Sequence, residues 1–469
     1  MSDALHFPGI SRRAIKIASA AISLLICEPL LSVSAQSETM SGALERAYVT
    51  NPQLNAQRAD TRATDENLPN ALSGYRPTAT ATSSAGLLRE SYAIPGLQGR
   101  KLNYLTHPNT AVLQVTQNLF NGFQTQNQVL LAKSQILSSR ESLRYTETTV
   151  LANAAAAYMD VMRDTAVLRL RQDYVKALEQ QLSDTRTRLR LGEVTTTDVS
   201  QAQASLSQGR VDMMAAVTAL KQSKATYEQT IGVAPNVLQP AKAPIVLVPR
   251  SIDDAYNVAL KDNPLILAAL RNVESAEHSL KVREGQLAPS VNVVGNIGQD
   301  FNYASVERQK YYTAEIVAQL NIPLYDGGVT YSNIRQAKEK LTEAQQLADQ
   351  QRMQVRASTA AAFAAWESSQ PIIADARAQV NEATAALAGI REEARLGQRT
   401  SFDILYAQQS LVNARIVYVT AQHNQVVAAY SVLAAIGSLS AQTLGLNAPL
   451  YKPEDHYDRV KDKWIGTSP

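Results

Sequence analysis

The sequence predicts a mainly α fold with a smaller β part: long antiparallel coiled-coil helices joined to short two-faced strands, laid down twice. Three observations predict it. Short motifs recur at a near-constant offset, two stretches of 67 residues run almost free of helix breakers, and period-2 segments precede each stretch. A repeat of this size must be read as one supersecondary unit used twice.

The repeat is explicit. Asn51-Pro52 returns as Asn263-Pro264 and Arg76-Pro77 as Ala288-Pro289, at an offset of 212. From Gln114 onward the offset is 205. Leu119-Phe120-Asn121-Gly122 returns as Leu324-Tyr325-Asp326-Gly327, Arg190-Leu191-Gly192 as Arg395-Leu396-Gly397, and Ile231-Gly232 as Ile436-Gly437. The seven extra residues of the first half lie between Pro77 and Gln114, where tolerance of a length change predicts a loop.

The chain opens with Arg12, Arg13 and Lys16, an apolar run from Ile17 to Leu31, and Val33-Ser34-Ala35 before Gln36. That pattern is a secretory signal peptide over 1–35. It holds the one cysteine, Cys27, so the mature chain has no thiol for a disulfide, a metal or a nucleophile. Residues 36–240 form the first repeat, 241–447 the second, and 448–469 a C-terminal tail. Without the leader, 42 Lys+Arg face 40 Asp+Glu, and no basic arm exists to hold nucleic acid. No apolar run in the mature chain reaches the ~18 residues of a spanning helix. A membrane crossing would therefore have to be a barrel.

Each half begins with helices, over 41–72 and 251–287, broken where Asn-Pro ends one helix and starts the next. Period-2 strands follow. Val291, Val293 and Ile297 alternate with Asn292 and Asn296, and the run from Tyr312 to Ile322 alternates apolar with Thr313, Glu315, Gln319 and Asn321. Residues 79–86 and 113–120 do the same less cleanly. Two-faced segments of ~10 residues fit outer-membrane strands, and also a half-buried soluble sheet. Tyr92, Tyr104, Phe120, Phe123, Phe301, Tyr303, Tyr311 and Tyr325 sit near strand ends, where interfacial aromatics belong.

Then come the long helices. Gln124 to Arg190 lacks both Gly and Pro, and spans roughly 100 Å at about 1.5 Å per residue. Its counterpart, Val329 to Arg395, contains Pro371, which predicts a kink. Leu168, Val175, Leu182 and Leu189 fall at successive sevens. On the return, Val199 to Leu220 and Phe402 to Leu433, passing through Gln409 and His423, alternate spacings of three and four. This is a coiled-coil seam. His423 and Gln409 read as register or packing residues. Ala152, Ala154 to Ala157 and Ala360 to Ala362 permit close helix approach, or simply favour helix.

No catalytic constellation is present. His6, His107, His278, His423 and His456 show no metal-ligand spacing, and there is no P-loop, GxSxG or dinucleotide fingerprint. The sequence offers no catalytic residue, no cofactor site and no metal site. The polar interest lies in the turns after the long helices, Arg190 to Asp198 and Arg395 to Asp403. There Gly caps one helix and a Thr/Ser run starts the next.

These features together resemble the TolC family of outer-membrane channel proteins, over nearly the whole mature chain. The resemblance implies a homotrimer in which each chain gives four strands to a shared 12-stranded outer-membrane β-barrel above a periplasmic α-barrel. It implies an export duct docked to a periplasmic adaptor (membrane fusion) protein and an inner-membrane pump of ABC or RND type. By the same resemblance Thr197, Asp198 and Arg399 form a gate latch, with Ala394 where the family has a Tyr. Asp403 marks a pore constriction, with Tyr406 in place of a second Asp. Leu191, Gly192, Glu193, Leu396, Gly397 and Gln398 would meet the adaptor.

Cargo is either protein, through type I secretion, or small toxic compounds. The tail from Leu450 to Gly466 resembles the type I secretion branch. The alternative from another class is a structural trimeric coiled-coil or adhesin-like surface protein. Such a protein gathers its strands at one end of the chain; here they are split between the halves.

Overall fold

The computed structural model describes residues 37–93, 101–302 and 308–468. The leader, its Cys27, Tyr303 and the side chains of Tyr92 and Tyr104 lie outside the described residues. The first half contains α1 (Met40–Thr50), α2 (Pro52–Asp65), α3 (Asn67–Leu72), β1 (Thr78–Ala85), β2 (Leu88–Ala93), β3 (Lys101–Thr106), β4 (Asn109–Asn121), α4 (Gln124–Arg190) and α5 (Thr196–Ile231). The second contains α6 (Ile252–Asp262), α7 (Pro264–Glu284), β5 (Ser290–Phe301), β6 (Lys310–Asn321), α8 (Val329–Arg395) and α9 (Ser401–Ala435), followed by α10 (Glu454–Val460) in the tail.

The repeated motifs turn out to touch one another. Asn51 ends α1 and caps α2, its Oδ1 accepting from the Gln53 and Leu54 amides at 2.9 and 3.2 Å. Its Nδ2 donates at 2.8 Å to the Thr230 carbonyl at the end of α5. Asn263 repeats this, accepting from Leu265 N at 2.9 Å and donating to Ala435 O at 2.8 Å at the end of α9. A helix end leaves carbonyls without intrahelical partners, and the Asn amide supplies a donor. Gly232 and Gly437 follow with φ of 91° and 77°, and a Cβ on Gly437 would sit 2.6 Å from Pro264 Cδ. Asn-Pro and Ile-Gly recur together because each half closes the same joint with them.

Four strands form one antiparallel sheet in the order β1-β4-β5-β6. One register row joins Thr80, Gln114, Asn296 and Glu315; the next joins Ala79, Val115, Gly295 and Ile316. Side chains alternate across a strand. One face is therefore polar, with Asn296 Nδ2 donating to Glu315 Oε1 at 2.9 Å. The other exposes Leu113, Val115, Ile297 and Ile316. β1 and β6 are left as edges. The loop expected between Pro77 and Gln114 contains a hairpin instead, β2 paired with β3. Its strands are only six residues each, and adjacent charged Arg89 and Glu90 break the alternation of β2.

The helices pack around the middle of α4. Leu151, Ala154, Ala155 and Tyr158 are fully buried there, in one cluster with Leu44, Tyr227, Ile231 and Leu433. The alanines of α4 thus serve close approach as well as helix propensity, whereas Ala361 of the second set is exposed. Toward the far end Val175, Leu178 and Leu182 pack against Ala202 and Leu206 of α5 and Leu405 and Val412 of α9. The seam expected on α9 is corrected in part. Phe402 and Gln409 are exposed and Gln408 is buried, because Ala407 and Leu411 face Leu387 of α8 while Leu405 and Val412 join the α4–α5 cluster. One helix with two neighbours shows two stripes. His423 is buried between α9 and α4, its Nε2 2.9 Å from Asp160 Oδ1, with Arg163 pairing Asp160 and Asp164 at 2.8 Å each. α8 continues as one helix through Pro371.

Asn51→Ala removes a helix cap worth about 1 kcal/mol. It also leaves the Thr230 carbonyl without its donor, at a further cost of about 1–3 kcal/mol. The expected result is a lowered thermal unfolding midpoint, with Asn263→Ala behaving alike; unchanged midpoints would show that the joints are not stabilising.

Candidate functional site

The two turns that end α4 and α8 are built to one plan. At the first, Gly192 takes φ 78°, Gly192 N donates to Leu189 O at 3.0 Å, and Glu193 N donates back to Arg188 O at 3.0 Å. At the second, Gly397 takes φ 79°, with Gly397 N to Ala394 O at 3.1 Å and Gln398 N to Glu393 O at 2.9 Å. These are reciprocal C-terminal caps that require a left-handed residue. A Cβ on either glycine would meet nothing within 4 Å. Glycine is there for its backbone conformation, not for space.

The return helices start with capping boxes. Asp198 N donates to Thr195 Oγ1 at 3.3 Å, while Thr195 N and Oγ1 donate to Asp198 Oδ2 at 2.8 and 2.7 Å. Asp403 and Thr400 repeat the arrangement at 2.9 and 2.8 Å onto Oδ2, with Asp403 N to Thr400 Oγ1 at 3.3 Å. The Thr195 amide and hydroxyl hold the Asp198 carboxyl below its ordinary range, and those of Thr400 do so for Asp403. Donors aimed at a carboxylate favour its ionised form. Both aspartates therefore carry their charge at the exposed turns.

Each turn also carries an ion pair, with the polarity reversed. Arg188 in the last turn of α4 holds Glu193 of the loop at 3.1 Å. Its counterpart at an offset of 205 is Glu393, which holds Arg399 of the second loop at 2.7 Å. The Glu393 carboxylate raises the Arg399 guanidinium above its ordinary range. Leu191 and Leu396 stand at the apices, 69% and 70% exposed.

The candidate residues fall into two groups rather than one. Leu191, Gly192, Glu193, Thr197 and Asp198 share the first turn, and Leu396, Gly397, Gln398, Arg399 and Asp403 the second. Tyr406 stands one turn further along α9, 67% exposed. The expected pairing of Arg399 with Thr197 and Asp198 does not form within one chain. Arg399 is engaged by the nearer Glu393, and Asp198 caps its own helix. The sequence places Thr195 and Thr400 in the Thr/Ser runs that start the return helices, and reads Arg188 as a solvated basic residue near a helix end or a further adaptor contact; Glu393 is absent from the expected site. The Thr-x-x-Asp spacing of a capping box was a signal for the threonines. Nothing in helical spacing marks a pair that closes across a glycine turn.

Among the described residues no group of His, Cys, Asp or Glu could hold a metal ion, and no helix is long and apolar enough to cross a membrane. The latter says nothing of a β-barrel.

The family described as outer membrane efflux protein matches residues 43–233 and 255–438. The outer membrane efflux protein BepC of Brucella suis biovar 1 (strain 1330) is 40% identical over 454 residues, covering 97% of each chain. The outer membrane protein TolC of Escherichia coli (strain K12) is 24% identical over 440 residues, covering 89% of this chain and 86% of its own. The crystal structure of the Campylobacter jejuni CmeC outer membrane channel superposes with a TM-score of 0.77 at 14% identity. It covers 90% of this chain and 89% of that one.

Proposed function

The chain belongs to the outer membrane efflux protein family, and from that membership we propose that three copies close one shared barrel and dock end-on to periplasmic partners. Family membership makes it an outer-membrane efflux channel with a long periplasmic extension, in a family of ducts. The observation that carries the shared barrel is the open sheet, and the number of copies, three, comes from the family resemblance. Four strands fall short of the eight or so that close the smallest barrel, and lipid tolerates no unpaired edge.

The repeat supplies the missing contact. β5 corresponds to β1 at an offset of 212, and β6 to β4 at 205. The intrachain pair Gln114–Asn296 thus maps onto Gln319 of one copy and Ser84 of the next. Likewise α7 packs against both α4 and α8, while α2 packs against α4; the repeat assigns the other face of α2 to α8 of the next copy. The halves 36–240 and 241–447 are then six equivalent staves in a trimer.

At the periplasmic end, the tip turns meet an adaptor (membrane fusion) protein coupled to an inner-membrane pump of ABC or RND type. Leu191, Gly192, Glu193, Leu396, Gly397 and Gln398 form that contact, the two leucines serving as exposed apolar knobs. Thr197 and Asp198 of one copy restrain Arg399 of another in the closed state, in competition with Glu393. Exposed ion pairs contribute only about 0–1 kcal/mol each, which suits a gate opened by docking. Asp403 binds Thr400 through Oδ2 and offers its charge to the axis beside Tyr406. The efflux name of the 40% identical relative supports small toxic compounds as cargo. The tail resemblance supports protein secretion, and one duct can serve both pumps.

Two experiments test this reading. With Cys27 in the leader, the mature chain has no competing thiol. Ser84→Cys combined with Gln319→Cys should give disulfide-linked oligomers in outer membranes, while either alone gives none; monomers from the double variant would refute the shared register. In planar bilayers Asp198→Ala and Arg399→Ala should each raise single-channel conductance, and Asp403→Ala should relieve block by multivalent cations. Unchanged conductance would remove the latch, and persistent block would place the cation ring elsewhere.

A further inference from the structure

The C-terminal tail follows the chain's own path from α1 to the foot of the sheet. Tyr451 N donates to Tyr48 Oη at 2.9 Å. Arg140 on α4 pairs with Glu454 at 3.2 Å and lies 5.1 Å from the centre of the Tyr457 ring. His456 Nδ1 lies 2.9 Å from Asp65 Oδ2 at the end of α2, both side chains buried. Arg76, eleven residues beyond Asp65 and two before β1, donates to Lys463 O at 2.8 Å and stacks 4.6 Å from the centre of the Trp464 ring. The tail is thus fastened at successive levels and ends where the strands begin. Gln117 Nε2 donating to Tyr75 O at 3.1 Å ties that level to β4.

What the tail presents there is apolar and bare. Trp464 is 66% exposed although Arg76 holds its ring, and Ile465 is 91% exposed. At the same end of the sheet Leu119, Phe120, Phe123, Leu324 and Tyr325 are exposed too, Phe120 and Phe123 meeting edge to face at 5.3 Å. The apolar face of the sheet is continuous with this band, since Phe120 shares its register row with Val291 and Leu320. A fixed tryptophan with one end apolar and an indole N–H suits the headgroup level of a bilayer. Arg76 puts a cation beside it; Lys463 Nζ donates to the Ser468 carbonyl and hydroxyl and Lys461 is paired with Asp458 at 2.9 Å, so both add less.

We propose that Trp464 and Ile465, held by Arg76, form an interfacial anchor that docks on the phospholipid headgroup layer of the periplasm-facing leaflet. The contact lies outside the barrel strands, and each copy contributes one. Its ligand chemistry is that of a zwitterionic or anionic phospholipid: the indole lies among glycerol and carbonyl groups, the isoleucine reaches the first acyl carbons, and the cations meet phosphates.

The chain has only two tryptophans, and Trp366 is buried in α8. The full-length oligomer carrying Trp366→Phe, reconstituted in phosphatidylethanolamine–phosphatidylglycerol vesicles, therefore reports on Trp464 alone. Nitroxide-headgroup or shallow-brominated phospholipid should quench its emission at least twofold. Emission insensitive to both quenchers would overturn the anchor, whether Trp464 then faces water or is covered by a neighbouring copy. Should Trp366→Phe fail to assemble, the difference in quenching between the native chain and Trp464→Phe reads the same quantity.

Discussion

A sheet edge in hydrocarbon has no water to pair with, and the architecture answers to that constraint. β1 and β6 each carry a row of backbone donors and acceptors that a single chain cannot satisfy. Closing the row requires other copies, and closure at the sheet dictates closure below it, because four helical columns (α2, α4, α7 and α8) leave the sheet at β1, β4, β5 and β6. The antiparallel ladder within the chain, β4 against β5, is the pattern from which the proposed seam between copies is drawn.

The two halves share their joints but differ at their exposed ends. Asn51 with Thr230 and Asn263 with Ala435 are the same contact made twice, and they fix how each return helix re-enters the core. The differences lie at the extremities. The first half adds a separate β2–β3 hairpin, and the turns exchange Arg188–Glu193 for Glu393–Arg399. Interior packing tolerates little change in volume, whereas solvent-facing turns can exchange charge without disturbing the helices beneath.

Much of the fold was legible because its signals are long. A stretch of 67 residues without Gly or Pro leaves few alternatives to helix, and the alternation from Tyr312 to Ile322 is that of β6. What escaped was short or shared. The β2–β3 strands are six residues each, and adjacent charges break the alternation of β2. The α9 pattern was read as one seam, although Gln408 rather than Gln409 is buried, because α9 packs on two sides. The turn glycines and aspartates could be found from their repetition, and Thr195 and Thr400 from the capping-box spacing. Glu393 could not be found, since its partner lies six residues away across a reversal of chain direction. The tail fastenings were equally hidden. Asp65 with His456 and Arg76 with Trp464 each join residues nearly four hundred positions apart.

The reversed polarity of the two turns has a consequence for stoichiometry. In the proposed trimer the tips would alternate between one whose helix end is cationic and one whose helix end is anionic. A ring of identical partner chains, one per tip, would then meet two kinds of seat. Each partner would need a docking surface that accepts either polarity, or alternate partners would adopt different conformations. The exposed Leu191 and Leu396 are common to both seats, so under the proposed docking the apolar knobs would set affinity while the charges set which seat is filled first.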